Sequence, residues 1–166
     1  MTTAPDKKHW RWRDLWFEHA FTIEPQLSSG IVAAFQPHLT HAKALTEKPH
    51  PHGTGPFCEF RVPPNITRTA GVYVFTSNDR AVYVGRGKSI RDRLRQYHRI
   101  SGRQCYAKGP RTTCHINAQI YQGLLKGALI QVYALTTEDY ASLEIALIHD
   151  LGHPPWNLSS CRICAA

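Results

Sequence analysis

Two short runs of alternating hydrophobic residues near the middle of the chain predict a β-hairpin. In the first run Val72 and Val74 alternate with Tyr73 and Phe75, and residues 82–84 repeat this pattern. A period of two is typical of half-buried strands. Residues 77–80 between the runs are the turn formers Ser, Asn and Asp followed by Arg,. An antiparallel hairpin of this kind can present Tyr73 and Tyr83 on one face.

A helix is predicted immediately after this hairpin. Residues 85–87, Gly-Arg-Gly, permit a tight backbone, and Ser89 with Asp92 three residues later resembles a capping box,. A buried stripe at spacing i, i+4 and i+7 is then formed by Ile90, Leu94 and Tyr97,. Arg93 lies beside this stripe, so the two hairpin tyrosines and Arg93 are expected to converge. Tyr97 is interpreted first as a core residue, with a role in a site as the alternative.

The C-terminal half predicts two further helices and one strand. Helical spacing covers His115–Leu125, a strand covers Leu129–Leu135, and a helix covers Glu138–Leu151,. Residues 100–114 lack periodicity and are interpreted as a basic loop. The order strand, strand, helix, helix, strand, helix indicates an α+β fold with a small antiparallel three-stranded sheet flanked by helices.

The N-terminal third has a different pattern. Within residues 8–21, an aromatic helix is predicted from the i, i+4, i+8 spacing of Trp12, Trp16 and Ala20,. Residues 30–45 show a weaker helical pattern, and the proline- and glycine-rich run 46–56 is typical of a linker. The chain is therefore divided into an N-terminal helical arm and linker, 1–56, and a catalytic domain, 57–166.

Positive charge is concentrated in one segment. The chain carries a net charge of +8, and residues 86–111 contain nine basic residues against Asp92, which accounts for all of that excess. A solvated basic surface is the ordinary explanation. Confinement of the excess beside the tyrosines favours contacts to the phosphates of a polyanion. The candidate contacts are Arg86, Lys88, Arg91, Arg95, Arg99, Arg103 and Arg111.

Two common nucleotide motifs do not fit the glycine turn. A phosphate-binding P-loop requires glycine where Val82 stands, and the dinucleotide fingerprint requires glycine where Ile90 stands,. The stretch instead resembles the GIY-YIG nuclease family through Gly71-Val72-Tyr73, Tyr83-Val84-Gly85 and Arg93 on the following helix. Farther on, Glu144 and Asn157 resemble the metal-binding glutamate and the late asparagine of that family. The resemblance covers roughly residues 68–160, with valine replacing isoleucine in both namesake motifs.

Glu144 is also unusual for its surroundings on the predicted helix. Its neighbours at three and four positions are apolar, namely Tyr140, Ala141, Leu147 and Ile148. An unpaired carboxylate on an apolar face is costly, so Glu144 should meet either an arginine or a metal ion. The family resemblance favours a divalent metal, Mg²⁺ or Mn²⁺.

The resemblance implies a metal-dependent DNA endonuclease with Tyr73, Tyr83, Arg93, Glu144 and Asn157 as its catalytic residues. Glu144 would bind the metal, Arg93 and Arg86 would neutralise charge on the phosphate, and one tyrosine would position or deprotonate water. The residues do not distinguish which tyrosine acts on water. A site-specific restriction enzyme that cuts both strands of duplex DNA as a homodimer is the leading hypothesis, with the aromatic segment 10–21 as its interface. The alternatives are a repair or mobile-element nicking nuclease and an inactive nucleic-acid-binding module.

The hydropathy of the chain bears on its cellular compartment, and its cysteines bear on whether it binds zinc. No run approaches the ~20 apolar residues that span a bilayer, and no apolar signal core follows the first methionine. A cytoplasmic protein without membrane contact is expected, and its five cysteines should be mostly reduced,. Cys161 and Cys164 have half of a zinc-ribbon spacing, but a second close pair is missing, so a pair of free thiols is favoured.

Overall fold

The computed structural model describes residues 8–108 and 111–158. Cys161 and Cys164 lie outside the described residues. Within them the elements are seven strands and four α-helices. The strands are β1 (His9–Trp12), β2 (Leu15–Thr22), β3 (Leu27–Ser28), β4 (Ile31–Val32), β5 (Gly71–Ser77), β6 (Arg80–Gly87) and β7 (Ile130–Thr136). The helices are α1 (Ile90–Tyr97), α2 (Gly102–Cys105), α3 (Thr112–Leu125) and α4 (Tyr140–Asp150). No helix among the described residues is long and apolar enough to cross a membrane.

Five strands form one antiparallel sheet in the order β1-β2-β7-β5-β6. The predicted hairpin is confirmed as β5 and β6, and the predicted third strand is confirmed as β7, which pairs with β5 along its whole length. The expected α+β class is therefore confirmed, but the prediction of three strands is wrong. The two additional strands come from the N-terminal third.

The predicted N-terminal helical arm is a β-hairpin. Strands β1 and β2 pair with each other, and β2 continues the sheet through β7. A β-bulge between His19 and Phe21 shifts the register, and it directs Phe17 to one face of the sheet and Phe21 to the other. This irregularity disguised the strand period in the sequence, while aromatic residues favour strands over helices. The i, i+4 spacing of the tryptophans was thus a coincidence of the strand pattern.

The segment predicted as a linker packs closely against the rest of the molecule. The His50 ring is buried and contacts the Gln104 carbonyl oxygen at 3.0 Å. A Cβ atom added to Gly53 would lie 2.4 Å from the Cys105 carbonyl oxygen. The preceding residues form 3₁₀ turns at Pro37–Thr40 and Ala42–Leu45 in place of the weak helix expected there.

The sheet separates two hydrophobic clusters. One face carries the larger cluster and is covered by α1 and α3, which bury Tyr73, Phe75, Leu94 and Ile120. The opposite face packs Val72, Val74, Val84 and Phe17 against Leu147 of α4. The capping signal before α1 is confirmed, because the Ser89 hydroxyl accepts a hydrogen bond from the Asp92 amide at 3.3 Å. These contacts place α1 and α4 on opposite sides of the edge strand β6.

A buried side-chain amide joins three segments of the larger cluster. Asn117 of α3 is fully buried, and its amide nitrogen donates to the carbonyl oxygens of Cys58 at 2.9 Å and Tyr97 at 2.7 Å. Its amide oxygen accepts a hydrogen bond from the Cys58 amide at 2.9 Å. Asn117 thereby fixes the end of α1 and the segment at Cys58 to α3.

We expect Asn117→Ala to lower the free energy of unfolding by about 3 kcal/mol, because three buried main-chain groups lose their partner. Urea denaturation followed by circular dichroism measures this change. Gln122→Ala, an exposed position of the same helix, is the matched control and should change stability by less than about 0.5 kcal/mol. Equal losses in the two variants would contradict the role assigned to Asn117.

Candidate functional site

Three tyrosine hydroxyls meet in the core beneath the edge strand. Tyr73 of β5, Tyr83 of β6 and Tyr97 of α1 are all buried. The Tyr97 hydroxyl lies 2.8 Å from that of Tyr73 and 3.1 Å from that of Tyr83. The predicted convergence of the two hairpin tyrosines is therefore observed, and Tyr97 connects them. The interpretation of Tyr97 as a core residue is confirmed by its burial, and its position four residues after Arg93 is the only signal in the sequence for its contact with the other two hydroxyls.

Two glycines of β6 allow this arrangement. Gly85 pairs directly with Tyr73 across the hairpin, and a Cβ atom on Gly85 would lie 2.4 Å from the Tyr73 hydroxyl oxygen. A Cβ atom on Gly87 would lie 3.1 Å from the Cβ of Arg93, where α1 approaches the strand. Absence of a side chain at both positions lets the tyrosine ring and the helix lie against the strand backbone.

We expect Gly85→Ala to destabilise the protein by about 3 kcal/mol, because the new methyl group must displace the buried Tyr73 ring. Denaturation of the single variant and of the double variant Gly85→Ala with Tyr73→Leu measures the clash. The loss in the double variant should be smaller than the sum of the two single losses, since the smaller side chain vacates the occupied space. Strict additivity would show that Gly85 and Tyr73 do not share that space.

Arg93 brings a positive charge to the tyrosines. It is partly buried, its guanidinium carbon lies 5.2 Å from the centre of the Tyr97 ring, and one guanidinium nitrogen donates to the Gln96 side-chain oxygen. Burial nevertheless raises the pKa of Tyr73, Tyr83 and Tyr97 well above the usual value for a phenol, and the opposing effect of Arg93 is weaker. The three hydroxyls therefore keep their protons at neutral pH.

Glu144 of α4 meets Arg86 of β6 at the edge of the sheet. The Arg86 Nε atom lies 2.9 Å from the Glu144 Oε2 atom, and their side chains are 41% and 19% exposed. Of the two cations that the sequence allowed for Glu144, the structure thus shows an arginine. Burial raises the pKa of Glu144 above its ordinary value, while Arg86 and Arg93 act to lower it. Glu144 in turn raises the pKa of Tyr83, so the carboxylate and the tyrosine group lie within electrostatic reach of each other.

We expect the Glu144 carboxyl group to titrate above 4.5, the ordinary value for its pKa, because burial opposes its charged form,. Carbon-13 NMR of glutamate-labelled protein measures the titration. Arg86→Gln should raise this pKa further, whereas Arg80→Gln in the distant hairpin turn should not alter it. An unchanged Glu144 titration in Arg86→Gln would refute the ion pair.

The raised pKa of Glu144 also predicts that the stability of the protein depends on pH. Between 4.5 and the raised pKa, the folded protein holds a proton that the unfolded chain has released. The free energy of unfolding therefore falls as the pH rises through that window. Glu144→Gln removes this dependence, and comparing the denaturation of the two proteins across the window isolates it.

The Asn157 side chain forms two hydrogen bonds with the backbone of β6. Its amide oxygen accepts a hydrogen bond from the Val84 amide at 3.0 Å, and its amide nitrogen donates to the Val84 carbonyl oxygen at 2.9 Å. The neighbouring Trp156 amide donates to the Val82 carbonyl oxygen at 2.9 Å. This pairing holds the strand that carries Tyr83 and Arg86, and it engages both polar groups of the asparagine side chain.

The remaining predicted contact residues are spread around α1 and the loop beyond it. Lys88, Arg95, Arg103 and Arg111 are exposed, and Arg91 is partly buried. Arg99 is exposed but pairs with Glu59 at 3.1 Å. Arg91 and Arg95 line a groove that does not include the tyrosines. The structure thus brings Arg86 and Arg93 to the tyrosine and carboxylate group and leaves the other basic residues outside it.

Glu144 is the acidic group available to a metal ion at this position. Among the described residues, no group of three or more histidine, cysteine, aspartate or glutamate side chains is placed to hold one. A site with a single carboxylate fits Mg²⁺, which retains several water ligands and is commonly shared with substrate phosphates. The donor set does not fit a zinc ion, since zinc sites require three or four protein ligands.

Comparison with known proteins gives little further information. No protein-family model matches the chain, and no curated protein matches it. A solved structure of a mutant of bacteriophage T4 EndoII aligns with 67% of this chain and 86% of that chain. The two chains are 22% identical, and the TM-score is 0.45. The functional argument therefore depends on the sequence motifs and the geometry of this chain.

Proposed function

We propose that the protein is a metal-dependent DNA endonuclease that hydrolyses phosphodiester bonds. The observation that carries this proposal is the meeting of Arg86, Arg93 and Glu144 beside the three joined tyrosine hydroxyls. Two arginines match the negative charge of a phosphodiester, and a single carboxylate matches the needs of Mg²⁺ or Mn²⁺. The resemblance to GIY-YIG nucleases, found in the sequence motifs, supports the same activity.

The two arginines have different parts in this proposal. Arg93 is held by its contacts with Tyr97 and Gln96, so it offers a fixed positive charge to the phosphate as negative charge develops during cleavage. Arg86 is already bound to Glu144 in the resting protein. When its guanidinium turns to the phosphate, it releases the carboxylate. Substrate binding and exposure of the metal ligand are thereby coupled.

Glu144 would hold the metal ion in its ionised form. Its raised pKa shows that burial opposes that form, while the charges of Arg86 and Arg93 favour it. A bound Mg²⁺ or Mn²⁺ supplies Lewis-acid stabilisation to phosphate oxygens. The protein contributes a charged ligand of defined position, and Arg93 remains near it after Arg86 has turned to the phosphate.

The tyrosines act in their protonated form in the resting site. The chain of hydroxyls from Tyr73 through Tyr97 to Tyr83 holds each phenol in a fixed orientation, so that one of them can position the water that attacks the phosphorus. Asn157 is a positioning residue, because its bonds to Val84 fix the strand that carries Tyr83 and Arg86.

A site-specific restriction enzyme acting as a homodimer is the finer form of the proposal. One chain supplies one such site, and cleavage of both strands at a symmetric sequence requires two. The N-terminal hairpin offers an exposed aromatic side chain to the second copy, since Trp16 is 54% exposed. Sequencing the ends released from a mixed plasmid library tests site specificity, and sedimentation on a cleaved duplex tests pairing.

We expect Glu144→Gln to reduce magnesium-dependent cleavage by at least about 100-fold, a loss typical of removing a charged group from such a site. Tyr73→Phe and Tyr83→Phe should also cut more slowly, since each loses a hydroxyl of the joined group. Plasmid cleavage in Mg²⁺ gives the rates, and duplex binding in metal-free buffer shows that Glu144→Gln retains its substrate site.

Two control variants distinguish these effects from general damage. Glu138→Gln removes an exposed carboxylate just before α4, and Tyr121→Phe removes a hydroxyl from a buried ring of α3. Both should cut at the parental rate. Cleavage by Glu144→Gln at that same rate would disprove the metal-ligand assignment, and binding without cleavage by the parent protein would indicate a nucleic-acid-binding module.

A further inference from the structure

A groove runs along the side of α1 that faces away from the tyrosines. It has a volume of about 580 Å³ and lies between α1, residues 24–26 and residues 59–64. Main-chain bonds connect its walls: the Gln26 amide donates to the Glu59 carbonyl oxygen at 2.8 Å, and the Phe60 amide donates to the His98 carbonyl oxygen at 3.1 Å. The groove is therefore formed before any ligand binds.

One donor in this groove has no acceptor. The Arg91 Nε atom is buried from solvent and has no hydrogen-bond partner among the described residues. A buried donor on a charged group is costly when it is left unpaired. Arg91 lines the groove, so a turn of its side chain toward the groove would bring this donor to an anion bound there.

The charge of the groove is also unbalanced. Arg61, Arg91 and Arg95 line it, and none of them forms an ion pair within the described part of the chain. Of its two acidic residues, Glu59 is already paired with Arg99, and Glu24 is exposed. Three uncompensated arginines against one glutamate favour an anionic ligand.

Helix α1 carries residues of both this groove and the proposed cleavage site. Arg91, Arg95 and His98 are spaced i, i+4 and i+7 and share one side of α1, while Arg93 lies on the other side of the buried stripe. A helix with its side chains is about 10 Å across. A double helix contacted by Arg93 on one side of α1 therefore presents other backbone phosphates within reach of the opposite side.

We propose that the groove lined by Arg61, Arg91 and Arg95 binds a backbone phosphate of the DNA other than the one that is cleaved. This inference rests on the proposed nuclease function, which supplies the substrate. On binding, the Arg91 side chain turns so that its Nε donor hydrogen-bonds a phosphate oxygen, and Arg95 and Arg61 balance the charge of that phosphate from the open side. The groove thus fixes the orientation of the duplex across α1, and contacts to phosphate position a protein on DNA.

The first test measures the salt dependence of DNA binding. A fluorescein-labelled duplex of mixed sequence is titrated with full-length protein in metal-free buffer at several salt concentrations. The double variant Arg91→Gln with Arg95→Gln should lose about one unit of slope in log affinity against log salt, because one phosphate contact is lost. Arg80→Gln, an exposed arginine in the β5–β6 turn, is the control and should retain the parental slope. Equal slopes in the two variants would overturn the proposal.

A second test observes the unpartnered donor directly. The Nε–H resonance of Arg91 is followed by NMR in the nitrogen-15-labelled parent protein. This test therefore does not depend on whether a variant folds. Adding the duplex should shift this resonance. Inorganic phosphate or polyglutamate at the same anion concentration should leave it in place. A shift of equal size with inorganic phosphate would make the groove a free-anion site, and one with polyglutamate would make it an acidic-peptide site; either result overturns the assignment to DNA.

The two tests also separate this proposal from the proposed activity. If the parent protein neither binds nor cuts DNA, the nuclease proposal fails, and the assignment of the groove to a DNA phosphate fails with it. If the parent protein cuts DNA in Mg²⁺ but the Arg91 Nε–H resonance does not shift when the duplex is added, only the groove assignment fails.

Discussion

The burial of three tyrosine hydroxyls imposes the main constraint on this structure. A buried phenol hydroxyl needs a partner, and here Tyr73, Tyr83 and Tyr97 satisfy one another,. The requirement fixes the distance between β5, β6 and α1, because each element supplies one hydroxyl. The same requirement explains why position 85 is a glycine, since any side chain there would occupy the position of the Tyr73 hydroxyl.

Burial and charge oppose each other throughout the candidate site. Burial in the core keeps protons on the tyrosines and raises the pKa of Glu144, while Arg93 acts in the opposite direction on both kinds of group and Arg86 does so on Glu144. In the resting protein, burial is the stronger effect on both kinds of group. Under the proposed function, substrate and metal bring additional charges, so the protonation of the site depends on what is bound there.

Much of the central unit could be predicted from the sequence because its signals are local. The β5–β6 hairpin keeps a period of two over residues 72–75 although its register shifts between Phe75 and Thr76. Ser89 caps α1 as expected, and the apolar neighbours of Glu144 correctly indicated a nearby cation. The N-terminal hairpin was missed because its strand period is broken by a bulge and its pairing partner, β7, is more than a hundred residues away. The contact of Asn157 with Val84 and the tight packing of Gly53 likewise depend on distant segments, which no short pattern reveals.

The side-chain amide of Asn157 gives the two edges of the sheet different properties. By pairing with the Val84 backbone it occupies the position that a neighbouring strand would take, and Trp156 covers Val82 in the same way. Exposed strand edges invite pairing between molecules and aggregation. The β6 edge is protected at these residues, whereas β1, at the other edge, pairs only with β2 in the described part of the chain. Growth of the sheet by strand addition is therefore directed to the β1 side, away from the edge that carries the proposed site.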